Sequence, residues 1–277
     1  MTEKAHPSSA AYRHATRAAI VTGGAGAGIG HGLTTVLAHR DWAVLIVDRD
    51  SASAETLQRT LAGEGFPVEL LGVDIAAEGA PAQAVERALA LYGRLDGLVN
   101  NAGIGLCKPS GEIRDDEFDR VLDVDLRAVF RFCRAAIPEL ASTGGSIVNI
   151  GSVHAHATFR GYAVYAAAKA AVEAFTRGLA ADYGPQGVRA NCINPGLVMS
   201  PQNRDLIAKF ASNVEACLEA YVRTKQLVPV LPTAEQVGEL AAFLMSEHAQ
   251  AITGQAFTID GGTSVMLYER EPCNQAG

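Results

Sequence analysis

Tyr165 and Lys169 stand four residues apart in Tyr165-Ala166-Ala167-Ala168-Lys169, so on one helix they share a face and can act on one ligand. A free phenol, with a pKa of about 10, is a poor base at neutral pH, and a neighbouring ammonium favours its phenolate. Ser152 lies thirteen positions before Tyr165. Its hydroxyl can orient an alcohol or carbonyl oxygen. Taking a hydride from a carbinol carbon also requires taking the hydroxyl proton, and this trio supplies a base, an activator and an orienting group.

A second constellation lies near the start of the chain. Thr22-Gly23-Gly24-Ala25-Gly26-Ala27-Gly28-Ile29-Gly30 follows an apolar run and precedes a helical pattern. Glycines let a backbone turn tightly against a pyrophosphate, and the next helix aims unpaired N–H groups and a positive dipole end at it. Asp48 stands 18 residues beyond Gly30, near the spacing at which an acid binds an adenosine ribose. That carboxylate predicts NAD rather than NADP, with adjacent Arg49 as the one opposing charge. Asp74-Ile75 is placed to hold the adenine edge. In Asn100-Asn101-Ala102-Gly103 the amides can tie strand ends together, and the glycine leaves room for a cofactor.

The elements that must position these residues are legible as alternating patterns. Short apolar runs at 18–22, 43–47, 68–74, 95–100, 146–150, 188–194 and 257–259 predict strands, and segments at 29–40, 52–62, 81–92, 116–140, 162–183 and 234–245 predict helices. That alternation specifies an α/β fold: a doubly wound parallel sheet between two helix layers, in a single domain. The expected domain spans 17–265, with a mobile tail at 1–16 and another at 266–277. Residues 200–232 break the rhythm after the sixth strand and are expected to form a lid over the substrate.

Composition bounds the partners. The net charge of -7 and the absence of a basic stripe argue against nucleic acid. No uncharged apolar run is long enough to cross a bilayer, and residues 1–17 lack a signal peptide's apolar core. The five cysteines Cys107, Cys133, Cys192, Cys217 and Cys273 are dispersed, as expected in a reducing cytoplasm. His154 and His156 alternate as metal ligands can, but no third ligand is evident, and no metal is expected.

The glycine loop, Asn-Asn-Ala-Gly, Ser152, Tyr165 and Lys169, Asn194-Pro195-Gly196, and Thr253-Gly254-Gln255 with Asp260-Gly261-Gly262 together resemble the classical short-chain dehydrogenase/reductase family. The resemblance covers about 18–264. It implies a Rossmann-like fold, a nicotinamide dinucleotide, a homotetramer, and the roles already derived for Ser152, Tyr165 and Lys169. It also implies cofactor contacts from Gly24, Gly28, Ile29, Gly30, Asp48, Arg49, Asp74, Ile75, Asn101, Ala102, Gly103, Tyr165 and Lys169. After Pro195 and Gly196, the backbone through Val198 is expected to meet the nicotinamide carboxamide, with Ser200 in place of the more usual threonine.

Two departures stand out. Four residues separate Gly23 from Gly28 where the family has three, so either the loop is longer or Gly24 takes the first glycine role. Asp125 occupies the position of an asparagine that holds a proton-relaying water; its charge stabilises the Lys169 ammonium and opposes the Tyr165 phenolate.

The polar loop between Ser152 and Tyr165, with His154 and Arg160 as expected substrate contacts alongside Ser152 and Tyr165, points to a sugar, polyol or hydroxy acid. The alternatives are a 3-oxoacyl or cyclic-ketone reductase of the same family, a sugar-nucleotide epimerase or dehydratase, and a non-catalytic NAD(P)-binding regulator.

Overall fold

The structure is a computed structural model that describes residues 15–25 and 27–265. Gly26, Cys273, the expected C-terminal tail and the expected N-terminal tail up to residue 14 lie outside the described residues. The elements run β1 (Arg17–Thr22), α1 (Ile29–His39), β2 (Trp42–Asp48), α2 (Ser51–Gly63), β3 (Val68–Gly72), α3 (Ala80–Tyr92) and β4 (Gly97–Asn100). Next come α4 (Asp115–Leu122), a π-turn (Asp123–Arg127), α5 (Ala128–Thr143), β5 (Ser146–Ile150) and α6 (Ala163–Tyr183). The last described elements are β6 (Arg189–Pro195), α7 (Pro201–Ala208), α8 (Val214–Lys225), α9 (Ala234–Met245) and β7 (Ala256–Ile259).

The strands form one sheet in the order β3-β2-β1-β4-β5-β6-β7, every neighbouring pair parallel. Helices cover both faces, which is why the strands read as near-continuous apolar runs. Successive side chains of β2 show the division: Val44 and Ile46 pack with Leu33, Leu37 and Val237 on one face. Leu45 and Val47 pack with Ile20, Ala84 and Leu98 on the other. The chain moves outward from β1 to β3 and then returns to place β4 on the other side of β1. At that reversal the crossovers diverge, leaving a crevice beyond the carboxyl ends of the strands.

The structure refines the local reading at several places. The helix expected over 116–140 is interrupted, since the π-turn inserts one extra residue per turn between α4 and α5. The interval 200–232 contains α7 and α8. Ser200 caps α7 by accepting from the Asn203 N–H at 3.1 Å, with Pro201 at the first turn, where its missing donor costs nothing. Asn213 caps α8 through the Ala216 N–H at 3.0 Å. The third strand also ends earlier than expected, at Gly72, leaving Asp74 in the following turn.

Candidate active site

The crevice is a cleft of about 590 Å³ whose wall is assembled from the carboxyl ends of β1, β2, β4, β5 and β6. At its start Gly23 adopts φ +61°, a conformation that favours glycine. Its N–H donates to Val47 O at 2.8 Å, and Asn101 Nδ2 donates to its carbonyl at 2.8 Å. A β-carbon on Gly30 would collide with that same carbonyl, so loop and helix start are locked together. Gly23, Gly28, Ile29 and Gly30 line the cleft. Gly24 does not: it is buried behind Gly23, and its carbonyl accepts from Thr34 Oγ1 at 2.8 Å.

Helix α1 follows directly on Gly28, with no side chain capping its first N–H groups and no acid in its first turn. A side chain caps each of α2, α7, α8 and α9, whereas α3, α5 and α6 are uncapped like α1, so what marks α1 is that its start lies on the cleft wall. Uncapped donors facing a cleft fit an anionic group such as a pyrophosphate. The adjoining strand end supplies the matching carboxylate: Asp48 lies on the cleft wall, with Oδ2 accepting from Ala25 N–H at 3.2 Å and Oδ1 from Asp50 N–H at 3.0 Å. Both oxygens are thus fixed by backbone. The residues present fit a dinucleotide.

Asp74, Ile75 and Arg49 border the same end of the cleft. Asp74 accepts from Ala76 N–H at 2.9 Å and from Arg120 at 3.1 Å, and Arg49 stands 3.8 Å away. The Ala76 N–H, followed by Arg120 and Arg49, outweighs partial burial and holds the Asp74 carboxyl below its usual range. Thr22 Oγ1 accepts from Asn101 N–H at 3.0 Å and Ala102 N–H at 3.2 Å, tying β1 to the chain leaving β4, so that Asn101, Ala102 and Gly103 line the cleft.

At the other end α6 presents Tyr165 and Lys169 one turn apart, and both line the cleft with Ser152. Lys169 Nζ lies 5.6 Å from the Tyr165 ring centre, donates to Ile150 O at 3.1 Å and stands 3.4 Å from Asp125 Oδ2. Asp125 is fully buried on the π-turn and sits behind the cleft wall, its Oδ1 accepting from Ile104 N–H at 2.8 Å. Burial pushes the Asp125 carboxyl up, against the opposing pull of Lys169 and the Ile104 N–H. For Lys169, burial alone would push the ammonium down, but Asp125 and Tyr165 outweigh it and the net shift is upward.

Pro195, Gly196, Val198 and Ser200 complete the wall. Two expected substrate contacts lie off it. His154 is half-buried beside the Tyr165 end of the cleft, its ring edge-on to Tyr165 at 5.4 Å and tilted against Tyr162 at 4.9 Å. Its Nδ1 is 2.8 Å from Thr158 Oγ1, and burial lowers its basicity. Arg160 is exposed. The wall takes Gly23 rather than Gly24, a choice the sequence leaves open, and also carries Gly151, Arg120 and Asn203, which sequence reading missed. Arg120 crosses from α4 and carries no local signal, whereas Asn203 follows the Ser-Pro helix start that could have revealed it.

A family model described as enoyl-(acyl carrier protein) reductase matches residues 24–264. A probable short-chain type dehydrogenase/reductase of Bradyrhizobium diazoefficiens is 36% identical over 251 residues, covering 89% of this chain and 86% of its own length. The chain belongs to the short-chain dehydrogenase/reductase family. Within that family of oxidoreductases, the cyclopentanol dehydrogenase of Comamonas sp. is 32% identical, with 88% of this chain and 95% of the relative covered. The crystal structure of L-sorbose reductase from Gluconobacter frateurii, complexed with NADPH and L-sorbose, matches with a TM-score of 0.85 at 26% identity, covering 91% of this chain and 97% of that one. The seven-stranded parallel sheet and its flanking helices are the short-chain dehydrogenase/reductase form of the Rossmann fold.

Proposed function

We propose that this chain is an NAD-preferring dehydrogenase or carbonyl reductase that interconverts a secondary alcohol and its ketone. One observation carries the reading: Ser152, Tyr165 and Lys169 border the same cleft as Asp48 and the uncapped start of α1. Gly28, Ile29 and Gly30 would hold the pyrophosphate and Asp48 the adenosine ribose. When bound, the nicotinamide supplies the hydride acceptor or donor. In the oxidative direction Tyr165 takes the proton from the substrate hydroxyl while Ser152 holds that oxygen, and the Lys169 ammonium stabilises the phenolate. Asp125 keeps Lys169 charged from behind.

Preference for NAD follows from Asp48, whose charge would meet the 2'-phosphate of NADP, and from Arg49, which is drawn toward Asp74. The sorbose reductase neighbour holds NADPH, so the choice is argued from these side chains and not from the family. A polar hydroxylated substrate, a sugar, polyol or hydroxy acid, is favoured by the half-buried His154 beside Tyr165 and by the sorbose-binding neighbour. A second reading, a cyclic alcohol or ketone, is favoured by the ring cluster of His154, Phe159 and Tyr162 next to Tyr165 and by the cyclopentanol dehydrogenase relative.

Helices α7 and α8 serve as the substrate lid of a single catalytic domain: Ser200 and Asn203 border the cleft, and Leu227 and Val228 N–H both donate to Gly261 O beyond α8. Assembly into a homotetramer is supported by exposed Phe118 and Phe130 on α4 and α5 and Phe243 on α9. Free thiols at Cys107, Cys133, Cys192 and Cys217 suit a reducing cytoplasm.

The experiment is a steady-state screen of polyols, sugars, hydroxy acids and cyclic alcohols with NAD and NADP, read by reduced-cofactor absorbance. Equal or better kcat/KM with NADP would falsify the cofactor assignment. Product without net reduced cofactor would identify an epimerase, and cofactor binding without product a regulator.

A further inference from the structure

Tyr165, Lys169, Glu173 and Arg177 follow one another at four-residue intervals along α6, so a single stripe carries the catalytic pair and, one turn further on, a carboxylate with no role in the chemistry above. The Glu173 side chain is 12% exposed. Its Oε2 accepts from Asn194 Nδ2 at 3.0 Å and lies 2.9 Å from His156 Nε2, while Oε1 accepts from Arg177 at 2.9 Å. Asn194 is fully buried at the end of β6. Its Oδ1 accepts from the Ser152 N–H at 3.1 Å and from Cys192 Sγ at 3.4 Å.

The partners dictate which way the amide faces. A backbone N–H needs an acceptor and a carboxylate needs a donor, so Oδ1 must turn to Ser152 and Nδ2 to Glu173. His156 Nε2 lies 2.9 Å from the same carboxylate oxygen and 3.3 Å from Asn194 Nδ2, so its ring borders both ends of this bond. Space around the clamp is tight: a β-carbon on Gly151, the residue before Ser152, would collide with Asn194 Oδ1. Removing Glu173 takes the carboxylate acceptor from a fully buried amide and leaves Nδ2 only the half-exposed His156 ring, 3.3 Å away, so the amide is no longer held in one orientation and the strand end can shift.

We infer that Glu173 is a positioning residue for Ser152, acting through the side-chain amide of Asn194. The inference rests on the reading of Ser152 as the group that holds the substrate oxygen. It gives α6 a second role, because the helix that presents the base and its activator also fixes the third member of the trio across the carboxyl ends of β5 and β6. Since Asn194 directly precedes cleft-lining Pro195 and Gly196, the same clamp aligns the two strand ends on either side of the reacting atoms.

The test is a double-mutant cycle in kcat, with substrate KM and NAD affinity measured on the same preparations. Glu173→Ala should lower kcat by about ten- to a hundredfold, as a small misplacement of a reacting group does, with NAD affinity within about twofold, since the cofactor-binding side chains are untouched. Glu173→Gln should recover most of that loss, because its carbonyl oxygen can accept from Asn194 Nδ2. In a Ser152→Ala background, Glu173→Ala should cost less than about twofold more, because its effect runs through the absent hydroxyl. Asn194→Ala, run in the same cycle, should show the same coupling and serves as the second variant should Glu173→Ala not fold. Full additivity, equal damage from Gln and Ala, or unchanged kcat in Glu173→Ala overturns the inference. Wild-type turnover in Ser152→Ala overturns instead the reading of Ser152 on which it rests.

Discussion

Two carboxylates at opposite ends of the cleft face cations at similar distances and respond in opposite directions. Asp74 lies 3.1 Å from Arg120 and keeps 38% of its side chain exposed; its carboxyl is held low, by the Ala76 N–H first and then by the arginines. Asp125 lies 3.4 Å from Lys169 with its side chain wholly buried, and there burial outweighs the cation and raises the carboxyl. Access to water, not distance to the counter-charge, is therefore what separates them. Near solvent the counter-charges are partly screened and their pull adds to that of the backbone N–H; in the interior Asp125 and Lys169 are strongly coupled, so changing one moves the other.

The largest effect expected from this contrast is at the buried end. Tyr165→Phe deletes one hydroxyl and keeps the ring, so turnover should fall by about two to four orders of magnitude while NAD binding and thermal stability hold. Tyr162 is the control, since its ring packs on the same His154 but the residue four positions on is Ala166; Tyr162→Phe should cost far less. Loss of turnover in Tyr162→Phe with retention in Tyr165→Phe would dissolve the buried trio as a unit.

Next in size is the exposed end. Asp48→Ala removes both a favourable ribose contact and a repulsive charge, and should narrow the NAD-to-NADP ratio of kcat/KM by about ten- to a hundredfold, one to three kcal/mol being usual for one such determinant. An unchanged ratio would show that the exposed carboxylates do not discriminate between cofactors.

Asp125→Asn separates charge from shape. The variant should remain active, and the base limb of its pH–rate profile should move to lower pH, because a nearby negative charge opposing the phenolate is gone. The sign is diagnostic: a limb that stays put or moves upward would mean that the buried carboxylate is not coupled to the base.

The smallest effect belongs to Asp74→Asn. An ion pair this exposed contributes about 0–1 kcal/mol, so the melting temperature should change by a few degrees at most. Because the folded carboxyl titrates low, its contribution is present above the unfolded pKa and lost as pH falls through the folded one. The difference between wild type and Asp74→Asn should therefore shrink on acidification below about pH 4. A difference that grew instead would place Asp74 with Asp125.

How much of this was legible in the sequence follows the same division between buried and exposed. The seven strands announce themselves because both sheet faces are covered, and the glycine loop and the Tyr165–Lys169 spacing are local patterns. Helix α8 left no such trace, having no buried residue and hence no apolar stripe for a periodicity to register. Arg120 was invisible because it reaches the cleft from across the fold. The choice between Gly23 and Gly24 depends on which residue takes a positive φ, and two adjacent glycines permit either. Asp125 was found by position, but its direct pairing with Lys169 depends on a backbone irregularity that helix-forming residues do not signal.

That irregularity bears on how the chain tolerates insertions and deletions. An ordinary α-helical turn advances each residue by about 100°, so the extra residue in Asp123–Arg127 resets the angular phase between α4 and α5. Ahead of it α4 turns Arg120 into the cleft; behind it α5 turns Phe132, Cys133 and Ala136 onto the sheet. A strictly regular helix through this stretch could not keep both faces correctly aimed. Loss of any one residue here would let the helix heal into continuity and would swing one face or the other away by about a quarter turn, whereas the same loss in an exposed loop would be absorbed. The π-turn works as a gear offset, and the length of this helix is as much a part of the active site as the side chains it carries.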